Sequence, residues 1–325
     1  MHSATARFRY HGIGGSLFGL MLVNSILTVL TLGIYSFWAK TKLREFHYSH
    51  TEADGDRFAY HGTGGELFRG MLRAFGIILV LSLLYGIAVV VFAGEPGAPA
   101  PQVAPGVQAA LTIGLYTVIA ILATAAVNLS RRYRLSRSSW RGIRFSFHGS
   151  TGDYMKLTLR GMLLSLITLG LYTPYFQNQN RAFLVNNARF GAEPFSYDGD
   201  GRALFGEYLK ALLLTIPTLG LSWIWYAAFK HRFFWSHTRM RGARFVSTVT
   251  GRDLLGLYVT SLLLVVCTFG IGTAWAITRT HAFWCDNLRL AGTVEWASIE
   301  QRAHEANALG EGLADALDMD VGIGL

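Results

Sequence analysis

The chain has 325 residues, of which 51% are apolar and only 15% charged, with a formal net charge of +9 and a mean hydropathy of +0.32. That balance argues against a pair of ordinary soluble domains. An excess of Lys and Arg in so apolar a chain marks loops facing anionic lipid rather than a nucleic-acid surface.

From the N-terminus, "MHSATARFRYHG" leads into an apolar stretch longer than a signal-peptide core and without a small-residue cleavage site, so no cleavable signal is expected. The first charge-free stretch runs from 17 to 39. Others cover 161–180, 211–229 and 255–278, and between Ala74 and Ser130 the only charge is Glu95. Six apolar segments of roughly 20 residues match the ~30 Å hydrocarbon core of a bilayer at ~1.5 Å rise per residue.

The segments belong to a repeat. Blocks open at "FRYHG" (Phe8), "FAYHG" (Phe58), "FSFHG" (Phe145), "FSYDG" (Phe195) and "FVSTV" (Phe245). Thr31, Thr168, Thr218 and Thr268 share one column, with Gly33, Gly170, Gly220 and Gly270 two residues later. Trp38, Tyr175, Trp225 and Trp275 share another. Each opening alternates aromatic and polar residues, as a short strand does. A Gly-rich turn such as "GTGGEL" feeds an apolar helix, Thr-x-Gly breaks it, and an aromatic then basic helix follows. The second block is longer, and "GEPGAPAPQVAPG" marks a loop within it.

The expected fold is therefore an all-α polytopic membrane protein. Its membrane domain, 1–296, has five blocks (8–57, 58–144, 145–194, 195–244, 245–296), and an acidic polar tail, 297–325, follows. Each block has a short β-strand plus either a helical hairpin or one kinked transmembrane helix, six hydrophobic segments in all. The long block favours hairpins, because its two full segments bracket an insertion where the others carry Thr-x-Gly; single spans remain the alternative.

The blocks "FRYHGIGGSLF…TLGIYSFWAKTKLREFHYSH" and "SWRGIRFSFHGSTGDYM" resemble the YjgN family of bacterial inner-membrane proteins, a domain of unknown function, over about residues 8–296. The resemblance implies a multi-pass protein of the inner (cytoplasmic) membrane and brings no activity or catalytic residue. The fifth block departs from it, reading "FVSTVTG" where the others have aromatic-x-Gly.

Candidate contact residues are the column Arg44, Arg131, Arg181, His231 and His281, each two residues before an aromatic. Cations beside rings at an interface suit anionic headgroups or an anionic ligand. Snorkelling anchors explain the same pattern. His11, His61 and His148 share a position before Gly, where backbone bonding is a simpler role than metal ligation. Cys267 and Cys285 lack ligand spacing. No phosphate loop, HExxH or G-x-S-x-G occurs, and the apolar segments hold no carboxylate. The expectation is a non-enzymatic, lipid-interacting, structural or partner-binding membrane protein without metal, cofactor or nucleic acid; a protein partner or homo-oligomer is left open. The alternative is a transporter or channel lined by breaks at Gly33, Gly170, Gly220 and Gly270. A lipid-modifying enzyme is the third reading.

Overall fold

The computed structural model describes residues 5–92 and 104–292, with 294, 296 and 299. The expected acidic tail and most of the Pro/Gly-rich loop lie outside these residues. In chain order the elements begin with β1 (Thr5–Tyr10), α1 (Gly14–Leu30), α2 (Ser36–Ser49), β2 (Thr51–Ala53) and β3 (Asp56–Tyr60). Next come α3 (Gly64–Phe92), α4 (Pro105–Ser136), β4 (Ser138–Trp140) and β5 (Ile143–Phe147). Then follow α5 (Thr151–Ile167), α6 (Thr173–Asn186), β6 (Ala188–Phe190) and β7 (Glu193–Tyr197). The last set is α7 (Gly201–Leu213), α8 (Ser222–Ser236), β8 (Thr238–Met240), β9 (Ala243–Ser247), α9 (Gly251–Cys267), α10 (Thr273–Asp286) and β10 (Leu288–Ala291).

The ten strands close into one antiparallel barrel, ordered β1-β10-β9-β8-β7-β6-β5-β4-β3-β2. This overturns the all-α, six-segment expectation. Each block supplies two strands rather than one, and the second is only three or four residues long, too short to show a period. The apolar runs are also interrupted: α1, α5, α7 and α9 have 13–17 residues, about 20–25 Å, less than the ~30 Å core. Among the described residues two helices are long and apolar enough to cross a membrane, α3 with 29 residues and α4 with 32.

The chain forms two compact units. The larger holds the barrel and the helices of the other blocks. Phe8, Phe58, Phe145, Phe195 and Phe245 fill the barrel interior with Trp140, Phe190, Met240 and Leu290. Alternation along each strand sends the intervening residues outward. In the smaller unit, residues 65–133 and 150–156, the Tyr133 hydroxyl donates to Glu66 Oε2 at 2.7 Å, and the outer parts of α3 and α4 expose Phe75, Leu83, Ile87 and Val90.

The barrel has two different rims. Strands β1, β5, β7 and β9 run into helices and β2, β6, β8 and β10 leave them, so these helices all stand on one rim. Tight turns close the other. Asp54-Gly55, Arg141-Gly142 and Arg241-Gly242 all have positive φ at both residues, the two-residue hairpin geometry that matches strand twist.

At the far ends of the short helices, Thr-x-Gly makes the hairpin turn. The Thr31 hydroxyl donates to Leu27 O at 2.7 Å and accepts from Tyr35 N at 2.9 Å, ending α1 and starting α2. Thr168, Thr218 and Thr268 repeat both bonds. Gly33 N donates to Thr28 O at 2.8 Å at φ +91, the helix-ending bond that a left-handed glycine permits.

Candidate functional site

Helix-to-helix packing around the rim explains two sequence columns at once. Each Trp or Tyr near the start of a second helix lies against the glycine opening the next first helix: Trp38 on Gly64, Tyr175 on Gly201, Trp225 on Gly251, and Trp275 back on Gly14. A Cβ at Gly14 would lie 2.4 Å from Trp275 Cδ1, and one at Gly64 would lie 2.7 Å from the Trp38 Cα. These are distances no side chain occupies, so the glycines are fixed by contact. The last block thereby packs on the first.

The column expected to contact anions sits just inside this ring, half-buried rather than at exposed helix ends. In the larger unit Arg44, His231 and His281 each reach the last inward side chain of a strand, while Arg181 lies against a ring on α8. Arg44 Nη1 donates to the Tyr60 hydroxyl at 3.4 Å. The Arg181 guanidinium lies 4.8 Å from the Trp235 ring. His231 Nδ1 bonds Ser247 Oγ at 2.9 Å, while its Nε2 accepts from Trp235 Nε1 at 3.0 Å. His281 closes the circle, stacked 5.4 Å from Tyr10 and 4.0 Å from His47. Arg131, on α4 in the smaller unit, is also half-buried.

Burial sets the histidine charges. It pushes His231 down to about 4, with Arg181 and Arg232 adding repulsion. It pushes His47 down to about 3, with help from His281 and His50, and His281 is lowered too. These imidazoles are neutral at neutral pH, so the column's charge rests on its arginines. Burial also raises the Cys285 thiol to about 12, which leaves it unreactive.

The repeated histidines do not converge. His11 Nε2 meets Glu52 Oε2 at 2.8 Å, His61 meets Ser139 Oγ at 2.7 Å, and His148 meets Ser146 Oγ at 3.2 Å. No group of three or more His, Cys, Asp or Glu side chains is placed to hold a metal among the described residues. Gly33, Gly170, Gly220 and Gly270 lie in the hairpin turns, beside Leu32, Leu169, Leu219 and Phe269, which are 92–97% exposed.

One surface escaped the sequence reading. Outward strand positions are rich in arginine: Arg7 and Arg9 on β1, Arg57 on β3, Arg239 on β8, Arg244 on β9 and Arg289 on β10 are all exposed. Their signal was the period-two alternation in "RFRY", "DRF", "TRM", "ARFV" and "LRL".

The model of a family described as "Bacterial protein of unknown function (DUF898)" matches residues 5–222 and 211–316. The chain belongs to this family. Two curated relatives are the proteins called "Inner membrane protein YjgN" from two Escherichia coli strains, each 30% identical over 169 residues. The match covers 52% of this chain and 37% of each relative, so the chain spans well under half of their length. No solved structure matches. The YjgN resemblance read from the block motifs agrees with these matches.

Proposed function

We propose that this DUF898 protein is a non-enzymatic protein of the inner membrane. In this reading α3 and α4 span the bilayer, the short hairpins dip their tips into one leaflet, and the barrel is held beside the membrane as a binding module. One observation carries it: Leu32, Leu169, Leu219 and Phe269 are 92–97% exposed and occupy left-handed turns at φ +50. A large apolar residue in that conformation costs about 1–2 kcal/mol of backbone strain, and in water each would add unburied apolar surface. Lipid removes the second cost. Membership of a family whose curated relatives are named inner membrane proteins points the same way.

Charge placement sets the depth. Arg160 and Lys210 sit nine residues before Leu169 and Leu219, so about 13 Å of these two tips is free of charge, less than half of a ~30 Å span and closer to the depth of an interfacial helix. With the four Thr-x-Gly glycines at exposed tips, a transport path through them has no support.

Labelling tests this. In a background with Cys267 and Cys285 replaced by Ser, single Leu32→Cys, Leu169→Cys, Leu219→Cys and Phe269→Cys proteins in lipid vesicles should resist a water-soluble maleimide. Ser196→Cys on the barrel wall should react readily. Equal labelling at tips and wall sinks the reading.

A further inference from the structure

Two like-charged pairs stand directly opposite each other on the outer barrel wall. Arg7 on β1 is in register with Arg289 on β10, and Arg239 on β8 with Arg244 on β9. Arg244 and Arg289 are diagonal neighbours, since Arg289 faces Val246, two residues along the strand. The four arginines thus cross four adjacent strands in one strip. Like charges at opposed strand positions destabilise a sheet. Elsewhere the wall avoids this: Glu52 is the register partner of both Arg9 and Arg57. On the strip the compensation is thin. Asp198 pairs with Arg239 at 2.8 Å, with both side chains about half exposed, and Arg244 Nε donates to the Ser236 carbonyl. Neither Arg7 nor Arg289 has a carboxylate partner among the described residues.

We propose that this strip docks an acidic segment of a partner protein, laid across β1, β10, β9 and β8. Four strands at about 4.8 Å spacing span about 14 Å. An extended peptide places three same-side carboxylates over about the same distance, since alternate residues are about 6.8 Å apart. Three carboxylates would answer the three guanidinium charges that Asp198 leaves uncompensated. The barrel is closed, so no strand edge is open for backbone pairing and recognition falls to guanidinium–carboxylate bonds.

The geometry argues against the other polyanions. If the hairpin tips insert as proposed above, the headgroups lie near Lys210, nine residues from the rim at Gly201. The strip is then about 20 Å from them, more than two Debye lengths of about 8 Å at physiological salt. Single-stranded nucleic acid binds through aromatic stacking platforms, and the outward neighbours of the strip include Arg9, Pro194, Ser196, Val246 and Ala291, none of them aromatic.

The full chain in detergent is titrated against a fluorescent ten-residue Asp/Glu peptide, with a single-stranded RNA ten-mer and phosphatidylglycerol vesicles as comparison probes. The peptide should bind best, and Arg7→Gln/Arg289→Gln should weaken it about tenfold, at roughly 0.7 kcal/mol for each guanidinium. Arg7→Lys/Arg289→Lys should recover part of that loss. Arg9→Gln/Arg57→Gln removes as much charge beside Glu52 and should have little effect. Equal weakening by the two Gln pairs reduces the strip to general basicity and overturns the proposal. So does tighter, strip-dependent binding of RNA. Strip-dependent vesicle binding overturns it as well; tip labelling under the same conditions then says whether the insertion reading has failed with it.

Discussion

Changing Gly64 to Ala tests whether the ring of helix contacts holds the barrel's helices in place. The added Cβ would lie 2.6 Å from Trp38 Cγ and 2.7 Å from the Trp38 Cα. Backbone at that distance cannot rotate away, so α2 and the start of α3 would have to separate by close to 1 Å. Overpacking of this kind costs about 1–3 kcal/mol, and a main-chain contact belongs at the upper end. Gly65 supplies the control: its Cβ would meet nothing within 4 Å, and Gly→Ala inside a helix gains about 0.5–1 kcal/mol. Adjacent, chemically identical substitutions should therefore differ by about 3 kcal/mol in opposite directions. Urea unfolding in detergent, followed by tryptophan fluorescence, reads the difference. If Gly64→Ala is as stable as Gly65→Ala, the close approach does not hold in solution and the contact explanation of the glycine column fails.

Two further outcomes follow from the buried groups around the barrel mouth. Val249 is fully buried beside Ala228, Leu254 and Leu257, so Val249→Gly should cost about 3 kcal/mol in the same assay, two from lost burial and one from added chain entropy. His47, His231 and His281 have folded-state pKa values below the ordinary histidine value. The unfolded chain therefore binds more protons, and the stability from keeping these rings neutral is complete above about pH 6.5 and lost as pH falls toward 4. The urea midpoint should be flat from pH 8 to 7 and drop below pH 6, at up to about 1.4 kcal/mol per pH unit for each ring; a midpoint that rises on acidification contradicts the assigned burial.

Local chemistry was legible in the sequence wherever a residue's role is set by its near neighbours. "FRYHG" read as a strand because Phe8 and Tyr10 face in while Arg7 and Arg9 face out. Thr31 and Gly33 read as a break because both act within one helical turn. The barrel was not legible. Its second strands, such as Thr51–Ala53 and Ala188–Phe190, have three residues each, too few for alternation to register. Closure joins Thr5–Arg7 to Arg289–Ala291 from opposite ends of the chain, and no local pattern announces it. Arg44 and Arg181 looked like interfacial cations because basic residues beside aromatics have that habit; their half-burial against Tyr60 and Trp235 comes from neighbours in later parts of the chain.

The fifth block reads "FVSTVTG" where the others have aromatic-x-Gly, and its departures are better understood together. In the other blocks a ring covers a glycine two residues on: Tyr10 over Gly12, Tyr60 over Gly62, Phe147 over Gly149 and Tyr197 over Gly199, each leaving 2.3–2.7 Å for a Cβ. The fifth has Ser247 in place of the ring and Val249 in place of the glycine, and Val249 is fully buried. The small serine vacates a volume that valine can enter, so each change makes the other tolerable. Removing the ring also opens room beside Phe245, which Trp235 occupies at 5.2 Å between centroids. His231, shorter than the arginine of the first three blocks, bridges Ser247 and the Trp235 indole. Ser247 and Val249 of the fifth block and His231 and Trp235 of the fourth thus depart from their columns together and pack as one unit, as volume conservation in a close-packed interior favours. A barrel that closes on itself needs every block to fill its sector, and the fifth fills its sector with different side chains at the same positions.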